Sequence, residues 1–219
     1  MPSFQEQLDT IARWRELPGL EWAAGEGGTA HLTFDDGPDS DATPEVLDAL
    51  DAAGLKATFF LVGEQVMAHR EIGRSVVERG HEVALHGHEH RSHDEMGGAV
   101  RDDLARGLGT LEAGTGVRPR LYRPPYGRFS AASYGACEAL ELRPVYWSAW
   151  GGDWEAVPAD RIADLVIRDL EPGAIVVLHD SARYAHRPSA RPTAEAIPLI
   201  AEAAAERGIR LAPLREAAA

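Results

Sequence analysis

The run Ala30-His31-Leu32-Thr33-Phe34 is rich in β-favouring residues, and it is followed directly by Asp35-Asp36-Gly37-Pro38, a polar turn containing glycine and proline. A helix start follows at Thr43-Pro44, with threonine as N-cap and proline at the first helical position, and Gly54 is placed to end that helix. Strand, polar turn and capped helix form the repeating unit of parallel α/β folds. This stretch therefore decides the fold class.

The same alternation of strands and helices continues along the chain. We predict seven strands, near Ala30–Phe34, Lys56–Val62, Glu82–Leu85, Leu121–Arg123, Val145–Ser148, Ala174–Leu178 and Ile209–Ala212. Gly80 is placed to end one of the intervening helices, and Gly208 to end a long alanine-rich helix that starts near Thr193. Repeated right-handed crossovers build either an open doubly wound sheet or a barrel, and periodicity alone does not choose between them.

Length and composition favour a single globular domain over residues 1–219, because 44% of the residues are hydrophobic and 26% are charged. Ser3 and Glu6 form a capping-box pattern, so residues 1–25 are predicted to be an N-terminal helical flank of that domain. No apolar stretch is long enough to span a bilayer, and the first residues lack the basic flank and apolar core of an export signal. We therefore expect no membrane association and a cytoplasmic location.

Charge and cysteine content exclude two function classes. The formal net charge of −13 argues against a nucleic-acid partner, since binding to phosphates needs clustered positive charge. The single cysteine, Cys137, lies among helix-forming residues and is interpreted as a buried structural thiol, so redox chemistry is not indicated.

Polar clusters follow five of the predicted strands. They are Asp35-Asp36, His86 to His93, Arg123-Pro124-Pro125-Tyr126-Gly127, Asp153-Trp154 and His179-Asp180. Because the carboxyl ends of parallel strands share one face, five loops are predicted to converge on one site.

Four of the nine histidines fall in the segment from His86 to His93, which suggests a metal site. His86 and His90 stand at i and i+4, which on a helical turn would project both imidazoles to one side, and Asp36 could complete a three-ligand site open to water. We expect His88 to face solvent or substrate rather than the metal, and His93 to lie on the surface. The alternative is that these histidines form a solvated polar loop.

The adjacent carboxylates of Asp35 and Asp36 would repel each other unless a cation or an arginine separated their roles. One could bind metal while the other takes a proton from water, which is metal-assisted hydrolysis with a general base. Arg123 is a candidate orienting cation for the base, and His179 a candidate general acid. An acidic turn, an outward-pointing arginine and a satisfied core histidine are the corresponding structural alternatives.

Five ordered motifs resemble those of the NodB-type polysaccharide deacetylases, carbohydrate esterase family four, over about Ala30 to Leu214. They are Thr33-Phe34-Asp35-Asp36-Gly37-Pro38, His86-x-x-x-His90, Arg123-Pro124-Pro125-Tyr126-Gly127, Asp153-Trp154 and Leu178-His179. The resemblance implies a distorted (β/α)7 barrel. It also implies one divalent ion, zinc or else cobalt, nickel or manganese, held by Asp36, His86 and His90.

The resemblance implies further roles within the site. Asp35 would be the base, Arg123 its partner and His179 the acid, while Asp153 would tune His179 or pair with Arg123. Tyr126 would lend its backbone N–H to the oxyanion, and Trp154 and Leu178 would line the pocket for the acetyl methyl group. The chain departs from the family pattern in two places: Gly87 replaces a serine or threonine that steadies the metal loop, and Trp150 replaces an aspartate.

The predicted function is metal-dependent hydrolysis of N-acetyl, or else O-acetyl, groups on a carbohydrate, by metal-activated water with an aspartate base and a histidine acid. One alternative is an amide hydrolase acting on a small metabolite such as a cyclic amide or formamide. The other is a carbohydrate-binding barrel without catalysis, against which the presence of both an acid and a base argues. The sequence does not indicate an oligomeric state.

Overall fold

The computed structural model describes residues 19, 20, 22, 23 and 28–216, and the capping box and most of the helical flank predicted for residues 1–25 lie outside them. The described strands are β1 (Thr29–Asp35), β2 (Thr58–Leu61), β3 (Glu82–Leu85), β4 (Leu121–Tyr122), β5 (Arg143–Pro144), β6 (Ala149–Trp150), β7 (Ile175–His179) and β8 (Arg210–Ala212). The described α-helices are α1 (Ala42–Ala52), α2 (Gly63–Ala68), α3 (Arg70–Glu78), α4 (Val100–Thr115), α5 (Ala131–Leu140), α6 (Ala159–Arg168) and α7 (Arg191–Glu206).

The strands form one parallel sheet in the order β5-β4-β3-β2-β1-β7-β6, and this sheet curls into an open barrel with helices outside it. The predicted distorted barrel is therefore confirmed. It has one strand more than predicted, because two short strands, β5 and β6, stand where a single fifth strand was expected. β1 has two partners besides β7. β8 pairs with Thr29–His31, whereas β2 pairs with Thr33–Asp35.

The core of the barrel lies around β1, whose seven residues are all buried. Phe34 stacks on Phe59 of β2 with ring centroids 5.1 Å apart, and Leu32 is fully buried. Cys137 is buried in α5, as predicted, and burial raises the pKa of its thiol to about 12, which keeps the thiol protonated and unreactive.

The fifth strand was predicted at 145–148, and that position is wrong. Two short strands, β5 and β6, lie on either side of this stretch. The backbone between them is diverted to other partners: the Tyr146 carbonyl accepts a hydrogen bond from Arg123 Nη2 at 2.8 Å, and the Tyr146 N–H donates to the Leu20 carbonyl at 2.7 Å.

The predicted C-terminal ends of the helices agree with the structure better than the predicted N-terminal starts. Gly54, Gly80 and Gly208 lie just beyond α1, α3 and α7, each with positive φ, as predicted. α1 begins at Ala42 with Asp41 as N-cap, so Thr43 is not the cap. Its hydroxyl instead donates to Asp180 Oδ2 at 2.6 Å.

The barrel is open between β5 and β6, and residues 19, 20, 22 and 23 run beside this opening. Leu20 donates to the Pro144 carbonyl at 2.9 Å, and Ala23 donates to the Gly173 carbonyl at 2.9 Å. These residues therefore connect the β5 side of the opening with the residues that precede β7. None of the helices in the described part of the chain is long and apolar enough to cross a lipid bilayer.

Candidate active site

The ends of neighbouring strands bring the predicted polar residues together. Asp35 is the last residue of β1 and pairs in register with His179, the last residue of β7. A cavity of about 300 Å³ opens at this end of the barrel. Its lining includes Asp35, Asp36, His86, His90, Tyr126, Trp147, Trp154, Val177, His179 and Tyr184.

Asp36, His86 and His90 form a compact cluster whose candidate ligand atoms all lie within 4.8 Å of one another. The Asp36 Oδ1 atom is 3.4 Å from His86 Nε2 and 3.1 Å from His90 Nε2. Burial opposes ionisation of Asp36, but the two histidines outweigh it and hold the pKa of that carboxyl well below its usual range. Burial lowers the pKa of His90, which favours the neutral imidazole that a metal needs.

The chemistry of this cluster fits a divalent cation. His86 Nδ1 lies 2.8 Å from the Arg123 carbonyl oxygen, which can only accept, so Nδ1 carries a proton and donates that hydrogen bond. Nε2 is left facing the Asp36 carboxylate, and a nitrogen lone pair and a carboxylate oxygen face each other favourably only with a cation or proton between them. His90 is held on both sides by aromatic rings: it stacks on Tyr184 with centroids 4.0 Å apart and meets the edge of Tyr126 at 4.5 Å.

His86 and His90 reach this position from an irregular loop, so the predicted helical turn is wrong. Gly87 adopts φ +83°, which breaks the helical path. The predictions for the two other histidines of this loop are also wrong. His88 is 1% exposed, and His93 is fully buried between Tyr122 and Asp103.

Asp35 forms a buried ion pair with Arg123, whose Nη1 atom donates to Asp35 Oδ1 at 2.7 Å. Arg123 is fully buried, and burial lowers the pKa of its guanidinium while Asp35 opposes this effect. The same Nη1 donates to Thr33 Oγ1 at 2.8 Å, and the guanidinium lies 4.1 Å above the Phe60 ring. These contacts leave Arg123 one orientation, so it holds the Asp35 carboxylate at the cavity wall.

His179 pairs with Asp153, the carboxylate in the Asp153-Trp154 motif. His179 Nδ1 donates to Asp153 Oδ1 at 2.8 Å, and the His179 backbone N–H donates to Asp153 Oδ2 at 2.9 Å. Burial alone would lower the pKa of His179, but the charge and hydrogen bond of Asp153 outweigh it and raise that pKa to about 9. Of the two roles expected for Asp153, the pairing with His179 is found and the pairing with Arg123 is not; Asp153 also pairs with Arg187.

Arg187 is a site residue that the sequence analysis missed. Its Nη1 atom lies 3.4 Å from Asp153 Oδ2 and donates to Thr193 Oγ1 at 2.6 Å, and its Nη2 donates to the His179 carbonyl at 2.9 Å. The only sequence signal for Arg187 is its closeness to the His179 motif, because an isolated arginine in a polar loop is ordinarily exposed.

The structural role of Asp180, which follows His179, was not predicted either. Asp180 is fully buried, and its Oδ1 atom accepts the Gly37 backbone N–H at 3.0 Å, which anchors the Asp35–Pro38 turn. Burial raises the pKa of Asp180 to about 7, and the nearby Asp36 adds to this effect.

The pocket wall differs from the prediction at one position. Leu178 is fully buried, and its side chain packs close to the Cα of Gly151, whereas Val177 and His179 line the cavity. Alternate residues of a strand face opposite sides, so Leu178 cannot share the face of its neighbours. Trp154 lines the cavity, with its ring edge-on to His179 at 5.9 Å between centroids.

An open parallel barrel whose strand ends carry a His/His/Asp cluster, a buried carboxylate and an imidazole paired with a second buried carboxylate has the architecture of a metal-dependent hydrolase. The comparisons with known proteins define this class more closely. The family model described as "Polysaccharide deacetylase" matches residues 23–145. The chain therefore belongs to the polysaccharide deacetylase family, the NodB-type carbohydrate esterases of family four, which hydrolyse carbon–nitrogen bonds in acetylated carbohydrates.

Individual relatives agree with this assignment. The chain is 36% identical to a chitooligosaccharide deacetylase of Sinorhizobium fredii, over 80% of each protein. It is 32% identical to a peptidoglycan-N-acetylglucosamine deacetylase of Bacillus cereus, over 68% of this chain and 55% of that protein. Among solved structures, it resembles a family 4 carbohydrate esterase from Streptomyces lividans in complex with acetate, with a TM-score of 0.76, 31% identity, and coverage of 84% of this chain and 92% of that one.

Proposed function

We propose that the protein removes N-acetyl groups from a glycan built on N-acetylglucosamine, with one divalent cation held by Asp36, His86 and His90. One observation carries this proposal: the Asp35–Arg123 pair and the His179–Asp153 pair end adjacent strands and share a cavity with the candidate ligands. The site thus offers a proton acceptor and a proton donor beside the place for a cation.

Zinc suits two imidazole nitrogens and one carboxylate oxygen, and cobalt, nickel or manganese are the alternatives. Bound there, a divalent cation supplies Lewis-acid polarisation of an acyl oxygen and lowers the pKa of a nearby water. The remaining steps are assigned to groups of the chain itself.

Asp35 is proposed as the general base. Arg123 occupies its Oδ1 atom, so Oδ2 remains to accept a proton from the attacking water. Because Arg123 cannot rotate among its buried contacts, the carboxylate is oriented before the substrate arrives.

His179 is proposed as the general acid. With a pKa of about 9, its imidazole is protonated at neutral pH, and Asp153 holds Nδ1, which leaves Nε2 to donate to the leaving group. When a C–N bond breaks, the nitrogen must receive a proton to leave as a neutral amine. The oxygen of a sugar hydroxyl is a better leaving group and depends less on such a proton donor. A histidine kept protonated therefore favours N-deacetylation over O-deacetylation.

Binding of the acetyl group is proposed to involve three further residues. Tyr126 lies in the cavity wall with φ 59°, and its backbone N–H would donate to the developing oxyanion. Trp154 and Val177 provide apolar surface for the acetyl methyl group.

Acetate release from a substrate panel tests this function. The panel comprises chitooligosaccharides, peptidoglycan fragments, acetylxylan and small amides including formamide, each assayed with added zinc and after chelation. We expect chelator-sensitive release from the N-acetylated sugars, which are the substrates named for the relatives. Release from acetylxylan alone or from small amides alone would overturn the assignment, and so would sugar binding without turnover.

A matched pair of variants tests the base. Asp35→Asn should lower kcat by about 10² to 10⁴ while zinc binding is retained, because general-base help has that magnitude. Asp41→Asn, an exposed aspartate in the same loop, should leave kcat unchanged. Full activity in Asp35→Asn would show that Asp35 is not the base.

A further inference from the structure

The loop between the two candidate histidine ligands is held by backbone hydrogen bonds on one side. The Gly63 N–H, at the start of α2, donates to the Gly87 carbonyl at 3.0 Å, and the Glu64 N–H donates to the His88 carbonyl at 2.9 Å. Gly63 packs so closely on His88 that a Cβ there would lie 2.5 Å from His88 Nδ1. Two carbonyl groups of the loop, those of Gly87 and His88, are therefore satisfied by α2.

Two N–H groups of the same loop are satisfied by one carboxylate from another helix. Asp103, in the first turn of α4, accepts the His88 N–H on Oδ2 at 2.9 Å and the Glu89 N–H on Oδ1 at 3.0 Å. Asp103 is itself 7% exposed, and His93 Nε2 lies 3.3 Å from its Oδ2 atom. Each oxygen of this side chain thus has a defined partner.

The space beside Gly87 explains why these N–H groups are bound by a carboxylate from another helix and not by a side chain of the loop. A Cβ at Gly87 would lie 3.0 Å from the Glu89 carbonyl oxygen, 3.1 Å from His93 Nε2 and 3.2 Å from Asp103 Oδ2. The volume that a side chain at position 87 would need is already filled by His93 and Asp103. The loop therefore takes its support from α4 rather than from a side chain of its own.

We propose that Asp103 is a positioning residue that sets the separation of His86 and His90 for cation binding by fixing the backbone between them. Asp103 acts through its hydrogen bonds to the N–H groups of His88 and Glu89, not through contact with the Nε2 atoms of His86 and His90. This inference rests on the proposed cation site and extends it to a residue outside the cavity lining.

The affinity of the purified protein for zinc, measured by competition with a chromogenic chelator, tests this proposal. Asp103→Asn keeps the size of the side chain but replaces one acceptor oxygen with an NH₂ group that faces a backbone N–H. We expect its zinc dissociation constant to rise by about 10- to 100-fold, the range found when groups that orient metal ligands are removed. Asp102→Asn, an exposed neighbour in the same helical turn, should bind zinc like the wild type.

Two further measurements separate positioning from general stabilisation. At saturating zinc, Asp103→Asn should recover a kcat within about threefold of the wild type, and Asp103→Glu, which keeps the charge but moves both oxygens by one methylene, should also bind zinc more weakly. A lower melting temperature of the metal-free variant with an unchanged zinc dissociation constant would overturn the proposal. Failure of the wild type to bind any divalent cation would instead refute the proposed function.

Discussion

Replacing Asp153 with asparagine should remove most of the effect that raises the pKa of His179. In the wild type, burial opposes protonation, yet the Asp153 carboxylate 2.8 Å away raises the pKa of His179 from 6.5 to about 9. A shift of this size corresponds to about 3 kcal/mol of favourable interaction with the protonated form, at about 1.4 kcal/mol for each pKa unit. Asparagine keeps an oxygen acceptor but removes the charge, so burial dominates.

We expect the pKa of His179 to fall by about 2 units or more in Asp153→Asn, because most of the raising effect comes from that carboxylate. The raised pKa of His179 also makes the free energy of unfolding depend on pH. A raised folded-state pKa stabilises the wild type fully below about 6.5, and this contribution is lost as pH rises through about 9. The variant should lack the decline in the free energy of unfolding between these pH values.

The pKa is measured by NMR titration of the His179 ring in chelator-treated protein, with Asp160→Asn, an exposed aspartate on α6, as the control. The alkaline limb of kcat/KM against pH should move to lower pH in parallel for Asp153→Asn. If His179 still titrates near pH 9 in Asp153→Asn, the assignment of Asp153 as the group that keeps the acid protonated is refuted.

Three further predictions follow from single contacts. Arg187→Met should lower the free energy of unfolding in urea by about 3–5 kcal/mol, because it removes one partner of the buried Asp153; a loss below about 1 kcal/mol would contradict this. Gly87→Ala should lower the free energy of unfolding by about 1–2 kcal/mol, since φ is +83° there and a Cβ would lie 3.0 Å from the Glu89 carbonyl; an unchanged urea midpoint would show that the loop adapts freely. Zinc should lower the pKa of His179 relative to the chelator-treated protein, because a cation offsets the negative charge of Asp36 that helps to raise it; identical NMR titrations with and without zinc would place the cation elsewhere.

The fold and the convergence of the loops could be predicted from the sequence, because both follow from local signals. Strand ends are marked by the change from apolar residues to Asp35-Asp36 and to His179, and a parallel sheet places those ends together. The glycines with positive φ mark helix ends for a similarly local reason.

Burial within loops could not be predicted in the same way. His88 and His93 stand in a polar segment whose sequence suggests exposure, yet α2 and α4 cover it. Arg187 likewise gives no local signal, because its burial depends on Asp153, which lies 34 residues earlier in the chain. Tertiary contacts of this kind decide whether a polar side chain is solvated or structural.

The fifth strand was misplaced because a β-favouring composition does not show where the backbone hydrogen bonds go. Residues 145–148 are mostly apolar, but the carbonyl of Tyr146 is used by the Arg123 guanidinium. The buried Arg123 guanidinium thus takes a carbonyl group that the residue types alone would place in a strand ladder.

The residues beside the opening between β5 and β6 limit how far the N-terminal side of a fragment of this protein can be shortened. A recombinant fragment trimmed to Ala23, where the family match begins, would lack Leu20 and its hydrogen bonds to Pro144 and Tyr146. Unpaired strand edges would then be open to other chains, and such edges promote self-association. Fragments for crystallisation or enzymology should therefore start ahead of Gly19.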